Sequence, residues 1–267
     1  MKIVICAKEV RDPDAVDTYA LHGKLEIGAD GKTLTQTAIP RLMNAYDEQA
    51  IEAALRLRDG GCECTIHVVS IGTDPANILR HAAALGADAI AHIPVDIETI
   101  DGPAAAALLA AYVRSIGGAE LVLCGRQASD DDQGVVPALV GELLHIPIIT
   151  VARAVELSGS TVRVTRVTPN GDEVVEAACP AVVTISNELG TPRYPTTART
   201  MKARRMKPTV LSLDQLSLQP SDIQPRVTLT RQFVSTTQGN CEFVTGSSPA
   251  ELAERLVRHL RQAQVIA

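Results

Sequence analysis

Short apolar runs alternate with amphipathic stretches from the amino terminus to Val151. Lys2 to Ala7, Cys64 to Ile71, Ala89 to Ile93, Ala119 to Cys124 and Ile148 to Val151 are buried-type runs bounded by turn residues, and they predict core strands. Between them the apolar spacing changes to three and four. Ile51, Ala54, Leu55 and Arg58 mark a helix from Asn44 to about Asp59. Asn44 is its expected N-cap, Asp47 and Glu48 sit in its first turn, and Gly60-Gly61 ends it. Thr73-Asp74-Pro75 opens a second helix, with Pro75 at its first position, and Gly86 closes it. Gly102-Pro103 opens an alanine-rich third helix that runs to about Ile116. A fourth places Val135, Val136, Leu139, Val140, Leu143 and Leu144 on one face. Strands and helices alternating at this spacing predict a parallel sheet with right-handed crossovers.

The remainder departs from that rhythm. Lys24 to Leu34 reads as a hairpin turning at Gly28 to Gly31. Thr161 to Thr168 and Glu173 to Ala177 flank Asn170-Gly171, a strong hairpin turn. Ala181 to Ile185 is a further apolar strand. It leads into a polar loop in which Gly190, Pro192 and Pro195 exclude a continuous helix. A basic tail of Arg199, Lys202, Arg204 and Arg205 follows. A stiff, charged loop at the end of a core strand suits a partner surface. Pro208, Pro220 and Pro225 then punctuate an extended arm, and Ser248-Pro249 caps a last helix striped by Leu252, Leu256 and Leu260. The expected division is an α/β domain over 1–205, with a recognition loop at 186–205, and an arm with its helix over 206–267.

Composition narrows the function. Hydrophobic residues make up 46% of the chain and aromatics only 2%, which suits close helix–sheet packing but leaves few rings to stack on bases. With a net charge of −6, nucleic acid is a poor candidate ligand. The cysteines are Cys6, Cys62, Cys64, Cys124, Cys179 and Cys241, without a C-x-x-C pair, so no metal ligation is expected and a reducing, cytoplasmic compartment is. Neither a targeting pattern nor an apolar run of membrane-spanning length is visible, so direct membrane insertion is not expected.

In an open parallel sheet, ligands lie beyond the carboxyl ends of the strands. Four loops qualify: Cys6-Ala7-Lys8, Met43 to Tyr46, Ser70-Ile71-Gly72, and Gly125 to Val136. The last is the longest and most polar. It contains Arg126, Gln127, Ala128, Ser129, Asp130, Asp131, Asp132 and Gln133, and it ends at a helix start where Gly134, Val135 and Val136 offer free N–H groups to a phosphate. The bland alternative is that Asp130 to Asp132 cap the helix and solvate the loop. G-x-x-x-x-G-K-[ST], G-x-G-x-x-G and G-x-S-x-G are all absent, and the histidines show neither metal spacing nor a nucleophile partner. No catalytic residues are assigned.

Four segments together resemble the β subunit family of electron transfer flavoproteins: Lys2 to Val10, Met43 to Leu57, Leu121 to Leu144 and Pro180 to Arg205. The likeness covers roughly 1–205. It implies a Rossmann-like, adenine nucleotide α-hydrolase-like sheet with helices on both faces. It also implies a heterodimer with an α subunit that carries the redox FAD and is embraced by the β arm. The pair carries electrons from flavin dehydrogenases to a quinone reductase or another acceptor. This chain would bind AMP at Cys6, Asn44, Ala45, Tyr46, Asp47, Ile71 and Gly125 to Val136. Tyr46 would lie near the α-subunit flavin; its alternative is a packing role at the helix start.

Partner docking would fall on Arg193, Tyr194, Thr197, Arg199 and Lys202. Relatives that serve acyl-CoA dehydrogenases have a leucine where this chain has Thr197, which forfeits most of the roughly 1.5–3 kcal/mol of a buried leucine. That points to a more polar contact. Bifurcating relatives bind a second FAD in place of AMP and carry a hydroxyl-rich stretch where this chain has Asp101-Gly-Pro-Ala-Ala-Ala, which favours AMP. Arg126 and the Ser186 to Pro195 string recur in the bifurcating type, so that alternative stays open. A stand-alone ATP-using or adenylyl-transferring enzyme needs a glycine–serine loop after the first strand, and Cys6 to Val10 supplies none.

Overall fold

The computed structural model of the protein describes residues 1–234 and 241–266. In chain order the elements are β1 (Lys2–Cys6), β2 (Glu9–Arg11), α1 (Pro13–Leu21), β3 (Arg41–Met43), α2 (Ala45–Asp59), β4 (Thr65–Ile71), α3 (Ala76–Leu85), β5 (Ala89–Ile93) and α4 (Gly102–Ser115). They continue with β6 (Leu121–Gly125), α5 (Val136–Leu144), β7 (Ile148–Ser158), β8 (Thr161–Thr168), β9 (Gly171–Ala178), β10 (Ala181–Ile185), α6 (Thr197–Ala203), β11 (Thr209–Val210) and α7 (Pro249–Gln262). The chain divides into two units, Met1–Gln232 and Phe233–Ala267.

In the first unit the strands order as β11-β5-β4-β1-β6-β10-β7-β8-β9. From β11 to β7 neighbours are parallel, and β8 and β9 add an antiparallel edge. This is the α/β architecture that the alternating pattern implies. The pleat sends Ile3 and Ile5 to the face covered by α2 and α3, and Val4 and Cys6 to the face covered by α4 and α5. Ala104, Ala106, Ala110 and Ala111 of α4 are all buried, and their small side chains let that helix lie close to the sheet. From β1 the chain moves to β4 and β5 on one side, then crosses to β6 on the other. The crevice between the ends of β1 and β6 is therefore a topological switch point.

Several expectations need correction. Lys24 to Leu34 forms no regular hairpin; Ile27 and Leu34 make a single bridge around a turn held by the Asp30 side chain. The fifth strand does not stop at Val151 but runs on to Ser158, because Ala152 to Ser158 pair with β8 beyond the parallel sheet. Pro75 takes the N-cap position of α3 instead of its first turn. The loop after β10 contains a single 3-10 turn at Asn187–Leu189 and the helix α6, which Thr196 caps after Pro195. The stretch 206–232 packs with the first unit: β11 extends the sheet beside β5, and Leu216 and Ile223 join the α4 side of the core.

The second unit contains α7, capped by Ser248 as its Ser-Pro start implies. Its Leu256 and Val257 are exposed.

Candidate functional site

The switch point opens into a cavity of about 370 Å³, near the lower end of the ~300–1,000 Å³ usual for small-molecule sites. Cys6 and Cys124, side by side in register, form its floor. Contact with Cys6 and then burial hold the Cys124 thiol well above its ordinary range, so it stays neutral and inert. Ile71, Ile97 and Ile100 line one side, and Ala105 and Leu109 of α4 line another. Val227 and Leu229 close the outer rim.

The polar side of the cavity is built by the turn at the start of α2. Asn44 occupies the N-cap position yet makes no capping bond there. Its amide instead reaches across: Nδ2 donates to the Gln127 carbonyl at 2.9 Å and Oδ1 accepts from the Ser129 N–H at 3.3 Å. Asp47, 5% exposed, accepts from the Lys8 N–H at 2.8 Å and the Gly125 N–H at 2.9 Å. The two side chains thus fix the loops after β1 and β6 relative to each other. Burial pushes the Asp47 carboxyl up to about 6 despite these donors. Gly125 is required by contact: a Cβ there would lie 2.5 Å from Asp47 Oδ1 and 2.6 Å from Tyr46 Cβ.

Beyond that loop, Gly134 has φ +62 and its added Cβ would meet the Arg126 carbonyl at 2.9 Å. This tight reversal aims the start of α5 at the cavity. No side chain caps α5. The aspartates do not do so: Asp130 and Asp131 pair with Lys8 Nζ at 2.7 and 3.2 Å, Asp131 also accepts from the Gln133 N–H, and Asp132 accepts from Gln127 Nε2. The helix start and the dipole behind it fit an anionic phosphate, while the Lys8 charge at the same opening is held by Asp130 and Asp131. Among the described residues no cluster of His, Cys, Asp or Glu suits a metal ion.

Of the residues singled out in the sequence, Cys6, Asn44, Asp47, Ile71 and Gly125 line the cavity. So do Gln127, Ala128, Asp131, Gln133, Gly134, Val135 and Val136. Ala45, Tyr46, Arg126, Ser129, Asp130 and Asp132 do not. Tyr46 and Arg126 instead face each other, with the guanidinium 5.7 Å from the ring centroid, and Arg126 also reaches Ser186 Oγ at 3.4 Å. Lys8 and Asp101 were missed as individual residues. Lys8 lies in a strand-end loop already recognisable as such, and Asp101 directly precedes the Gly-Pro helix start.

The segment 187–205 contacts α2 at Glu52, Arg56 and Asp59. Arg193 is committed inside the chain: Nε donates to Glu52 Oε2 at 2.7 Å and Nη2 to Asp59 at 2.8 Å. Arg56 holds the same carboxylate at 2.9 Å and also the Leu189 carbonyl at 2.7 Å. Arg199 donates to the Leu85 carbonyl at the end of α3. Both arginines thus anchor the segment. Tyr194, 88% exposed, and the exposed Thr197 and Lys202 form its outer surface. Met201, 61% exposed, joins them and was not foreseen.

The family model described as the electron transfer flavoprotein domain matches residues 32–216. The caffeyl-CoA reductase-Etf complex subunit CarD of Acetobacterium woodii is 29% identical over the whole of both chains. The electron transfer flavoprotein subunit beta of Megasphaera elsdenii is 32% identical over 84% of this chain and 82% of its own. That of Thermoanaerobacterium thermosaccharolyticum is 30% identical over the full length of both. With the sheet, its switch-point cavity and these likenesses together, the chain belongs to the electron transfer flavoprotein β subunit family.

Proposed function

We propose that this chain binds AMP as a structural ligand in the switch-point cavity and pairs with an α subunit carrying the redox FAD. The heterodimer then takes electrons from a flavin dehydrogenase and delivers them to a quinone reductase or another acceptor. The observation that carries the AMP reading is the uncapped start of α5, which opens beside Lys8 into a mononucleotide-sized cavity. Phosphate would sit at Gly134 to Val136 and the adenosine along the apolar wall of Ile71, Ile97 and Leu109. The ligand supplies no reacting atom; it fills the crevice and joins the two halves of the sheet.

Tyr46, beside Arg126 and outside the cavity, is placed in this reading at the face that meets the α-subunit flavin. Tyr194, Thr197 and Lys202 present the docking surface, with Arg193 and Arg199 holding it in shape. The part of the carboxyl-terminal arm from Phe233 onward contacts the α subunit, which would cover the exposed apolar residues of α7. No helix among the described residues is long and apolar enough to cross a membrane.

The likeness to CarD supports a second reading, in which a bifurcating complex holds a second FAD in this cavity. Against it stands the α4 start, where Ala105 and Leu109 face the cavity and offer no hydroxyl to a larger ligand. Nucleotide analysis and an absorbance spectrum of the purified heterodimer separate the two. One FAD and one AMP are expected per heterodimer; two FAD without AMP would establish the second reading, and an empty β chain would remove both.

A further inference from the structure

Asp101 does two unrelated jobs with one carboxylate. Oδ1 accepts from the Ala104 N–H at 3.0 Å, the ordinary N-cap bond of α4. Oδ2 accepts from two amides far along the chain, Arg226 N–H at 2.6 Å and Val227 N–H at 3.0 Å. A helix cap needs only the first. Burial pushes this carboxyl up, but the backbone donors outweigh it and hold the group below the ordinary aspartate range, so it is ionised near neutrality. The second oxygen therefore makes charge-assisted hydrogen bonds to a segment without regular structure.

That segment is tethered at both ends. Ile223 packs on the α4 side of the core, and the Gln232 N–H donates to the Gly31 carbonyl at 2.7 Å. Between these anchors Val227 and Leu229 face the cavity while remaining 71% and 50% exposed. They are a thin outer wall with solvent behind it. Strand-end loops, α4 and the start of α5 supply the other walls.

We infer that residues 224–232 are a strap closing the nucleotide cavity, that Asp101 is its latch, and that unlatching controls how fast the ligand leaves. This rests on the reading of the cavity as a nucleotide site. Asp101 is a positioning residue: it holds the wall, and the wall holds the ligand.

Two variants test it in the full chain loaded with radiolabelled AMP, with release followed after a chase of unlabelled AMP. Asp101→Asn keeps one acceptor for the α4 cap but turns an NH2 group toward the strap amides. Val227→Ser with Leu229→Ser removes the apolar wall at two exposed positions and leaves α4 untouched. Loss of a hydrogen bond to a charged group predicts release about tenfold faster or more in the aspartate variant. The serine pair should also accelerate release, with an unchanged melting temperature. Release at the wild-type rate in both variants, with AMP still bound stoichiometrically, would overturn the strap and leave the nucleotide site standing. Wild-type chain that retains neither AMP nor FAD would overturn the strap together with the nucleotide reading.

Discussion

Two buried carboxylates on α2 work in opposite electrostatic settings. Asp47 at its amino end and Glu52 farther along are each 5% exposed. Asp47 has no guanidinium paired with it; burial outweighs the Lys8 and Gly125 backbone donors, the Asn44 side chain and the nearby Lys8 charge, and leaves its carboxyl raised to about 6. Burial pushes Glu52 up too, but the Arg193 and Arg56 guanidiniums outweigh it and hold the group below the ordinary glutamate range. The difference separates two ways of fixing a loop. Backbone amides position the cavity loops at Asp47 without an ion pair to its carboxylate, whereas charge pairs pin the 187–205 segment to α2. One helix thereby ties the switch-point cavity to the 187–205 segment.

The severest way to break the Asp47 end is Gly125→Ala. The new methyl would collide with the carboxylate that holds Gly125 and with Tyr46 backbone-proximal atoms, neither of which is the free end of a long side chain. A loss of about 3–4 kcal/mol is expected, measurable by urea denaturation, together with loss of retained nucleotide. Wild-type stability in this variant would show that the two loops are not packed as tightly as the clamp requires.

Glu52→Ala breaks the other end. It releases Arg193 and Arg56 together, but those guanidiniums are 30% and 44% exposed and can rehydrate. The expected loss is about 2–3 kcal/mol, below the ~3–5 kcal/mol of a fully buried pair. Its diagnostic is selectivity: proteolysis should become faster within 187–205 while nucleotide content stays constant. If nucleotide is lost as well, the two ends of α2 are not separable.

Much of this arrangement was legible in the residues. Short apolar runs located the parallel core, and the Gly-Pro and Ser-Pro starts located α4 and α7. The cavity loops followed from strand ends. What escaped depended on distant partners. β2 and β3 are three residues each and exist only because they pair with each other. β11 is two residues, defined by the neighbouring β5. Nothing local in Val227 or Leu229 reveals that the chain returns to the cavity. The helix α1 was missed although its start was readable, with Asp12 accepting from the Asp14 and Ala15 N–H groups and Pro13 in the first turn. Asn44 shows the opposite failure: a residue of ideal capping chemistry whose side chain was drawn away by the Gln127 loop.

Acid sharpens the contrast between the carboxylates. Asp47 has a folded-state value above its unfolded one, so the folded chain binds the extra proton between about pH 4 and 6. Its contribution is most favourable below that window and is lost as pH rises through about 6. Glu52 is lowered, so its contribution is present above the unfolded glutamate value and is lost as pH falls through the folded one. Moving from pH 7.5 to pH 5 should therefore gain the wild type roughly 1–1.5 kcal/mol relative to Asp47→Asn, while Glu52 stays ionised. Parallel pH slopes for wild type and Asp47→Asn in urea titrations would remove the buried, raised carboxyl from the picture.

The smallest effect on stability should come from Tyr194, the residue that the Glu52 anchor holds outward. Its side chain is 88% exposed, so Tyr194→Ala should change unfolding by less than about 0.5 kcal/mol. If the anchored segment is a docking surface, the same variant should slow electron transfer from the donor, with the effect on KM rather than on the flavin spectrum. Thr197→Leu adds an apolar group beside it on α6. Where the contact is polar, that change should give no gain in transfer; a marked gain would mean that Tyr194 and Met201 already form an apolar anchor and that the polar reading of Thr197 is wrong. Unaltered transfer in both variants would detach docking from this segment and leave Glu52 and Arg193 with a purely structural role.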